Sequence, residues 1–220
     1  MGAVIRYVVA RSLTSQRWVP PIVCFVLLSA ATYAAGGDAA GTGALPALLL
    51  VPIVTWTTVT ALHNDDRSQV AILAVSVGGV VRARVAVLVA SALLGLVLGT
   101  VAVAAAIAVD PEHGGEVGVW RTAAALEVTV VGSVLCGVAL GHLCARPVVR
   151  RIGYSWLIGV LSCVLLIAVP RSPCNHALAA LSSPDPATLL PTVALDAAVE
   201  AVAAGVVLLL TVLAYRRSAP

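Results

Sequence analysis

RARVAVLVASALLGLVLGTVAVAAAIAVD, residues 82–110, decides the fold of this chain. Between Arg84 and Asp110 stand 25 residues, Val85–Val109, with no charge and only Ser91 and Thr100 as polar side chains. About 20 mainly apolar residues cross a bilayer as a helix. Working outward, five more such runs appear: Trp18–Ala35, Leu45–Leu62, Val119–Leu143, Ile152–Val169 and Val193–Tyr215. The composition agrees. Only 10% of the 220 residues are charged and mean hydropathy is +1.05, against about 25% charged in a soluble domain. Too little polar surface exists to cover a soluble globule, so the class is all-α integral membrane protein, a single transmembrane domain over 1–220.

The arginines orient the spans. All 13 basic residues are Arg. Arg6, Arg11 and Arg17 precede the first span, Arg67, Arg82 and Arg84 lie between the second and third, Arg146, Arg150 and Arg151 between the fourth and fifth, and Arg216 and Arg217 after the sixth. Arg121 and Arg171 fall on the other side, with Asp38, Asp110, Glu112, Glu116 and Asp185. The positive-inside rule then predicts both termini in the cytoplasm. An even number of spans agrees independently. An Arg-only basic set amid abundant Ala, Val and Gly reads as a high-GC genome such as an actinobacterium's, which places the chain in a bacterial cytoplasmic membrane. No small-residue cleavage site follows the first apolar run, so no removable leader is expected.

Two segments are not spans. Residues 1–17, MGAVIRYVVARSLTSQR, place Val4, Val8, Arg11 and Ser15 at helical spacing and predict an interfacial helix before Trp18 and Pro20 open the first span. A frayed end that only sets topology is the plainer alternative. Residues 170–191, PRSPCNHALAALSSPDPATLLP, carry short apolar pieces between prolines. They are too short to cross and predict a re-entrant hairpin, provided protein buries its ends. A surface loop is the alternative.

Small residues recur every fourth position at Ala125, Thr129, Ser133, Gly137 and Gly141, and Gly95 and Gly99 stand four apart. Such stripes let helix backbones approach closely. Packing within the chain is the expected use; a subunit interface is the sharper one.

Glu127, Asp196 and Glu200 fall in or near spans, where a carboxylate is costly and is by default a functional candidate. Asp196 and Glu200, four apart, share a helix face. Glu127 and Glu200 are read as pathway carboxylates for protons or a cationic substrate. The alternatives are Asp196 in water, or carboxylates that merely hydrogen-bond between helices. Cys24, Cys136, Cys144, Cys163 and Cys174 form no C-x-x-C pair, so neither a zinc site nor a redox dithiol is expected. His63, His113, His142 and His176 are dispersed, and His142 is expected among headgroups. No G-x-S-x-G, H-E-x-x-H or P-loop pattern occurs. The chain is therefore read as no enzyme, with no metal, no cofactor and no nucleic acid of its own.

The segment after the second span, ALHNDDRSQVAILAVSVGGVVRAR, is the least membrane-like. Asn64 or Asp65 can cap a helix, Asp66 and Gln69 fit a capping box, and Gly78-Gly79 stops it. The eight apolar residues VAILAVSV cannot span, and in water they demand a partner.

The whole order resembles the permease subunit of an ABC-2-type exporter, an architecture shared with ABCG-like transporters. It comprises an interfacial helix with a RSLTSQRWVPPI entry, two spans, the polar segment 63–84, four more spans and an outer hairpin before the last. Where family members often read E-R-E-x-G-T, this chain has NDDRSQ, and Arg84 stands where a Lys is common. The resemblance implies a cytoplasmic coupling helix. Asp65, Asp66, Arg67 and Gln69 would contact a separate ABC ATPase subunit that binds ATP and Mg. Arg82 and Arg84 would anchor the return to the membrane. It also implies a translocation path in a homodimer or heterodimer of permeases, surrounded by lipid. An apolar, Arg-poor interior suits a lipid, drug or hydrophobic peptide. A proton-coupled carrier using Glu127 and Glu200, and a scaffold or immunity protein that pairs with an ATPase but moves nothing, are the rivals.

Overall fold

The computed structural model describes residues 2–14, 16–63, 72, 74–110, 118–145, 152–170, 172–182, 185 and 187–218. Among them every regular element is helical: α1 (Gly2–Thr14), α2 (Val19–Ala35), α3 (Ala39–His63), α4 (Val80–Val109), α5 (Val119–Leu143), α6 (Ile152–Ala168), α7 (Pro173–Ser182) and α8 (Leu189–Ser218). Four of these, α3, α4, α5 and α8, are long and apolar enough to cross a membrane. The apolar helices α2 and α6 have 17 residues each, or about 25 Å at 1.5 Å per residue, somewhat short of a hydrocarbon core of about 30 Å.

The boundaries correct the sequence expectation in a consistent way. α5 coincides with the expected span, while α3 begins six residues earlier, α4 five and α8 four. Polar or charged residues ended the hydropathy signal but do not break a helix. Arg82 and Arg84 are helical, because Arg is itself a good helix former.

α3, α4 and α5 make the centre, and glycine contacts fix their directions. On α3 and α5 the contacts Gly43–Leu126, Val54–Gly137 and Thr58–Gly141 rise together, so these helices are parallel. On α3 and α4, Leu50–Gly99 and Val54–Gly95 run oppositely, so these are antiparallel. A Cβ on Gly137 would lie 2.8 Å from Val54 Cβ and 2.9 Å from the Val51 carbonyl. The small-residue stripes thus serve packing within the chain. Thr55 Oγ1 adds a hydrogen bond to the Gly137 carbonyl at 3.2 Å, worth roughly 1 kcal/mol between membrane helices.

The ends of the bundle differ. At one, Asp110 is buried beyond the end of α4 and accepts a 3.3 Å hydrogen bond from the Ala39 N–H, the first residue of α3. The α3 N-terminus carries unsatisfied donors, and a carboxylate satisfies one. At the other, Val9 of α1 packs with Ala61 and Leu62 of α3 on the buried Val87 and Ala90 of α4. Val9 is thus the residue that seats α1 on the bundle; the side chains of Val4 and Val8 lie outside the described residues.

The segment 170–191 resolves differently from a hairpin of two short pieces. Its first piece is α7; the second, ending in Leu189 and Leu190, is the start of α8. Cys174, Ala177 and Leu181 of α7 are buried, one helix face at 3 and 4 residue steps. Asp185 starts α8: its carboxylate accepts from the Ala187 N–H at 3.0 Å and from Thr188 Oγ1 at 3.1 Å.

Candidate functional site

Ser172 builds the entry to the site. Its hydroxyl accepts the Asn175 N–H at 3.1 Å and donates to the Leu166 carbonyl, while its own carbonyl accepts the His176 N–H at 3.0 Å. Ser at the cap with Pro173 in the first helical position is a strong helix start. It launches α7 from the end of α6 and lays it on α8. Cys174 meets Glu200 and His176 meets Asp196, so numbering rises along α7 as it falls along α8, and the two helices are antiparallel.

Glu200 lies 11 residues past the start of α8, about 16 Å along it, and is only 5% exposed. Its Oε1 accepts a hydrogen bond from Cys174 Sγ at 3.1 Å. Its other oxygen lies over Gly132 of α5, with the Ala197 backbone beside it. Only a residue without a side chain leaves room there. Cys136, one turn along α5 from Gly132, completes a group: one donor atom each from Cys136, Cys174 and Glu200 lie within 4.8 Å of one another. The sequence offers no C-x-x-C pair, yet the fold brings two of the thiols together. Cys136 and Cys174 are 38 positions apart, and tertiary packing rather than local spacing joins them.

Asp196 is buried, not in water, and pairs with the more exposed His176 at 3.0 Å. Glu127 sits apart from Glu200. It accepts a 3.3 Å hydrogen bond from Thr100 Oγ1 of α4 on the outside of the helix group. At 100° per residue, Glu127 and Gly132 point about 140° apart on α5, so the two glutamates occupy different faces. His142 is buried rather than among headgroups, with Nδ1 unpartnered within the described residues.

Between α2, α3 and α6 lies an apolar cavity of about 230 Å³, lined among others by Pro20, Pro21, Pro52, Trp56, Gly159 and Cys163. Cys163 also packs in one buried cluster with Leu48, Val51 and Cys174, so the cavity wall adjoins the thiol group.

Asp65, Asp66, Arg67 and Gln69 lie outside the described residues. After them Ile72 and residues 74–77 are helical. The Gly79 N–H bonds the Ala74 carbonyl at 2.7 Å and the Gly78 N–H the Val75 carbonyl at 3.3 Å, with φ of +75° at Gly78. This is the paired closure of a Schellman ending, which favours glycine at the left-handed position. Arg82 adds a 3.4 Å hydrogen bond to the Val77 carbonyl. Val75 is 84% and Ile72 69% exposed. Arg84 is half-buried at the start of α4.

Comparison with known proteins finds no matching family model, curated protein or solved structure. The functional reading therefore rests on the chain's own architecture.

Proposed function

We infer that this chain is the membrane-spanning subunit of an ATP-driven exporter of the ABC-2 type, working as a dimer with separate ATPase subunits. The observation that carries the reading is the short helix ended at Gly78-Gly79. It belongs to none of the long apolar helices, yet presents Ile72 and Val75 outward. Exposed apolar side chains beside a charged run need a surface to cover them. On the six-span topology with both termini inside, this helix stands in the cytoplasm, where an ATPase cleft is that surface. Asp65, Asp66, Arg67 and Gln69 make its polar contacts; Arg82 and Arg84 hold the return to the bilayer. ATP-driven closure of the partner then biases the dimer between two packings. The order interfacial α1, two spans, docking helix, four spans, with α7 before the last, gives the same support. A proton relay through Glu127 and Glu200 has less, because Glu200 of α8 packs on the Gly132 face of α5 whereas Glu127 points to another face, toward Thr100 of α4.

The test is co-purification with any nucleotide-binding protein encoded beside this gene, followed by ATP hydrolysis measured on the complex. Asp65→Arg with Asp66→Arg, and separately Val75→Asp, should break the complex or uncouple hydrolysis while the permease stays folded. A complex and activity untouched by both would sink the coupling assignment. A chain that exchanges substrate with no ATPase bound would favour the carrier.

A further inference from the structure

We propose that Cys136, Cys174 and Glu200 form a binding site for a soft divalent cation of the zinc and cadmium class. Three separate helices, α5, α7 and α8, each supply one donor, and these atoms lie within 4.8 Å of one another. Cys174 is fully buried and Glu200 nearly so. Two thiols with one carboxylate are a soft, mixed donor set. Thiolates select zinc and its heavier congeners over magnesium or calcium. Zinc holds sulfur at about 2.3 Å and carboxylate oxygen at about 2.0–2.2 Å in a tetrahedron, which separates neighbouring donors by roughly 3.3–3.8 Å. The 3.1 Å between Cys174 Sγ and Glu200 Oε1 is close to that, and Cys136 Sγ lies within 4.8 Å of both.

The surroundings favour a bound cation over three idle groups. Gly132 and the Ala197 backbone fix the Glu200 carboxylate from behind, and the Ser172 cap fixes the turn that carries Cys174. His176 already engages Asp196, so the neighbouring carboxylate on the same helix face does not compete for the metal. A buried carboxylate in a membrane helix is costly unless it is paired or coordinates a metal; among the described residues Glu200 accepts a hydrogen bond from one weak thiol donor, Cys174. Loading balances as two thiols and one carboxylate plus a divalent cation giving the complex and two protons, so binding tightens as pH rises. Three protein ligands leave the fourth position open to an exogenous ligand. The inference does not depend on the exporter reading.

The experiment is cadmium titration of the purified, chelator-treated full chain in detergent, followed by the thiolate-to-cadmium charge-transfer absorption, with X-ray absorption of the wild-type complex. One cadmium per chain is expected, with two sulfur neighbours and the remainder oxygen. Cys136→Ser, Cys174→Ser and the isosteric Glu200→Gln should each weaken binding at least tenfold, and Cys24→Ser should leave it unchanged. No saturable binding, a coordination shell without two sulfurs, or equal affinity in Cys174→Ser would overturn the site. The wild-type absorption spectrum decides the question even where a variant fails to fold.

Discussion

The Glu200 carboxylate of α8 lies directly over Gly132 of α5, with the Ala197 backbone alongside, so the two helices meet where one residue has no side chain and the other carries a buried acid. A Cβ at position 132 must displace either the carboxylate or a helix backbone. Gly132→Ala should therefore lower stability by about 1–3 kcal/mol, the usual range for overpacking, and Gly132→Val by more. Gly205 on the same α8 faces open space, and Gly205→Ala should be neutral or stabilising by up to about 1 kcal/mol through helix propensity. Thermal unfolding in detergent, monitored by helical circular dichroism, checks both; equal losses at the two positions would contradict the packing described.

Two glycines on the central helices separate side-chain crowding from backbone crowding. At Gly99 the obstructing atoms are the side chains of Val130 and Leu50. At Gly137 they include the Val51 carbonyl at 2.9 Å, which cannot turn aside. Gly137→Ala should thus cost more than Gly99→Ala. Val130→Ala should recover part of the Gly99→Ala loss, a favourable coupling readable in a double-mutant cycle. Val54→Ala should recover little of the Gly137→Ala loss. Melting temperatures of the four single and two double variants test the ordering.

The hydrogen-bonded His176–Asp196 pair between α7 and α8 is asymmetric, because Asp196 is buried while His176 is more exposed. Removing the buried partner leaves an imidazole that water can serve. Removing the outer partner strands a carboxylate. His176→Ala should then destabilise by about 1–3 kcal/mol, the cost of leaving a buried polar group unmade, and Asp196→Ala by less. Reversal of that order in thermal unfolding would show that Asp196 has another source of support.

How much of this was legible beforehand depends on what kind of signal each element leaves. α5 could be read in full, because Gly118 and the polar His142 end of its apolar run coincide with its structural ends. α4 was read late, because hydropathy stops at Arg84 whereas the helix continues to Val80. The halt at Gly78-Gly79 was readable, since positive φ has a residue signature. The cation group was not. Glu200 could be singled out as a charge among apolar neighbours, but Cys136 looks like any small apolar residue, and only the turn after α6 brings Cys174 to it. The run Ser172-Pro173-Cys174-Asn175 does carry a cap signal, and it marks the turn that delivers the second thiol. Asp110 likewise looked like a loop acid, whereas it satisfies the first N–H of α3.

Ser172 holds that turn with two different uses of one hydroxyl: it accepts from the Asn175 N–H at 3.1 Å and donates to the Leu166 carbonyl. Ser172→Ala removes both and should cost at least the loss of an N-cap, about 1 kcal/mol. Ser172→Asp can still accept from Asn175, and its charge suits a helix N-terminus, but an ionised carboxylate has no proton for the Leu166 carbonyl. It should therefore recover only part of the loss, whereas Ser172→Thr, which both donates and accepts, should recover most of it. Because the turn positions Cys174, cadmium affinity should follow the same order as the melting temperature: wild type, then Thr, then Asp, then Ala. Thermal unfolding and cadmium titration on the same four preparations measure both orders. An affinity that ignores the cap while stability follows it would show that α7 seats Cys174 through its buried face, Ala177 and Leu181, rather than through its first turn.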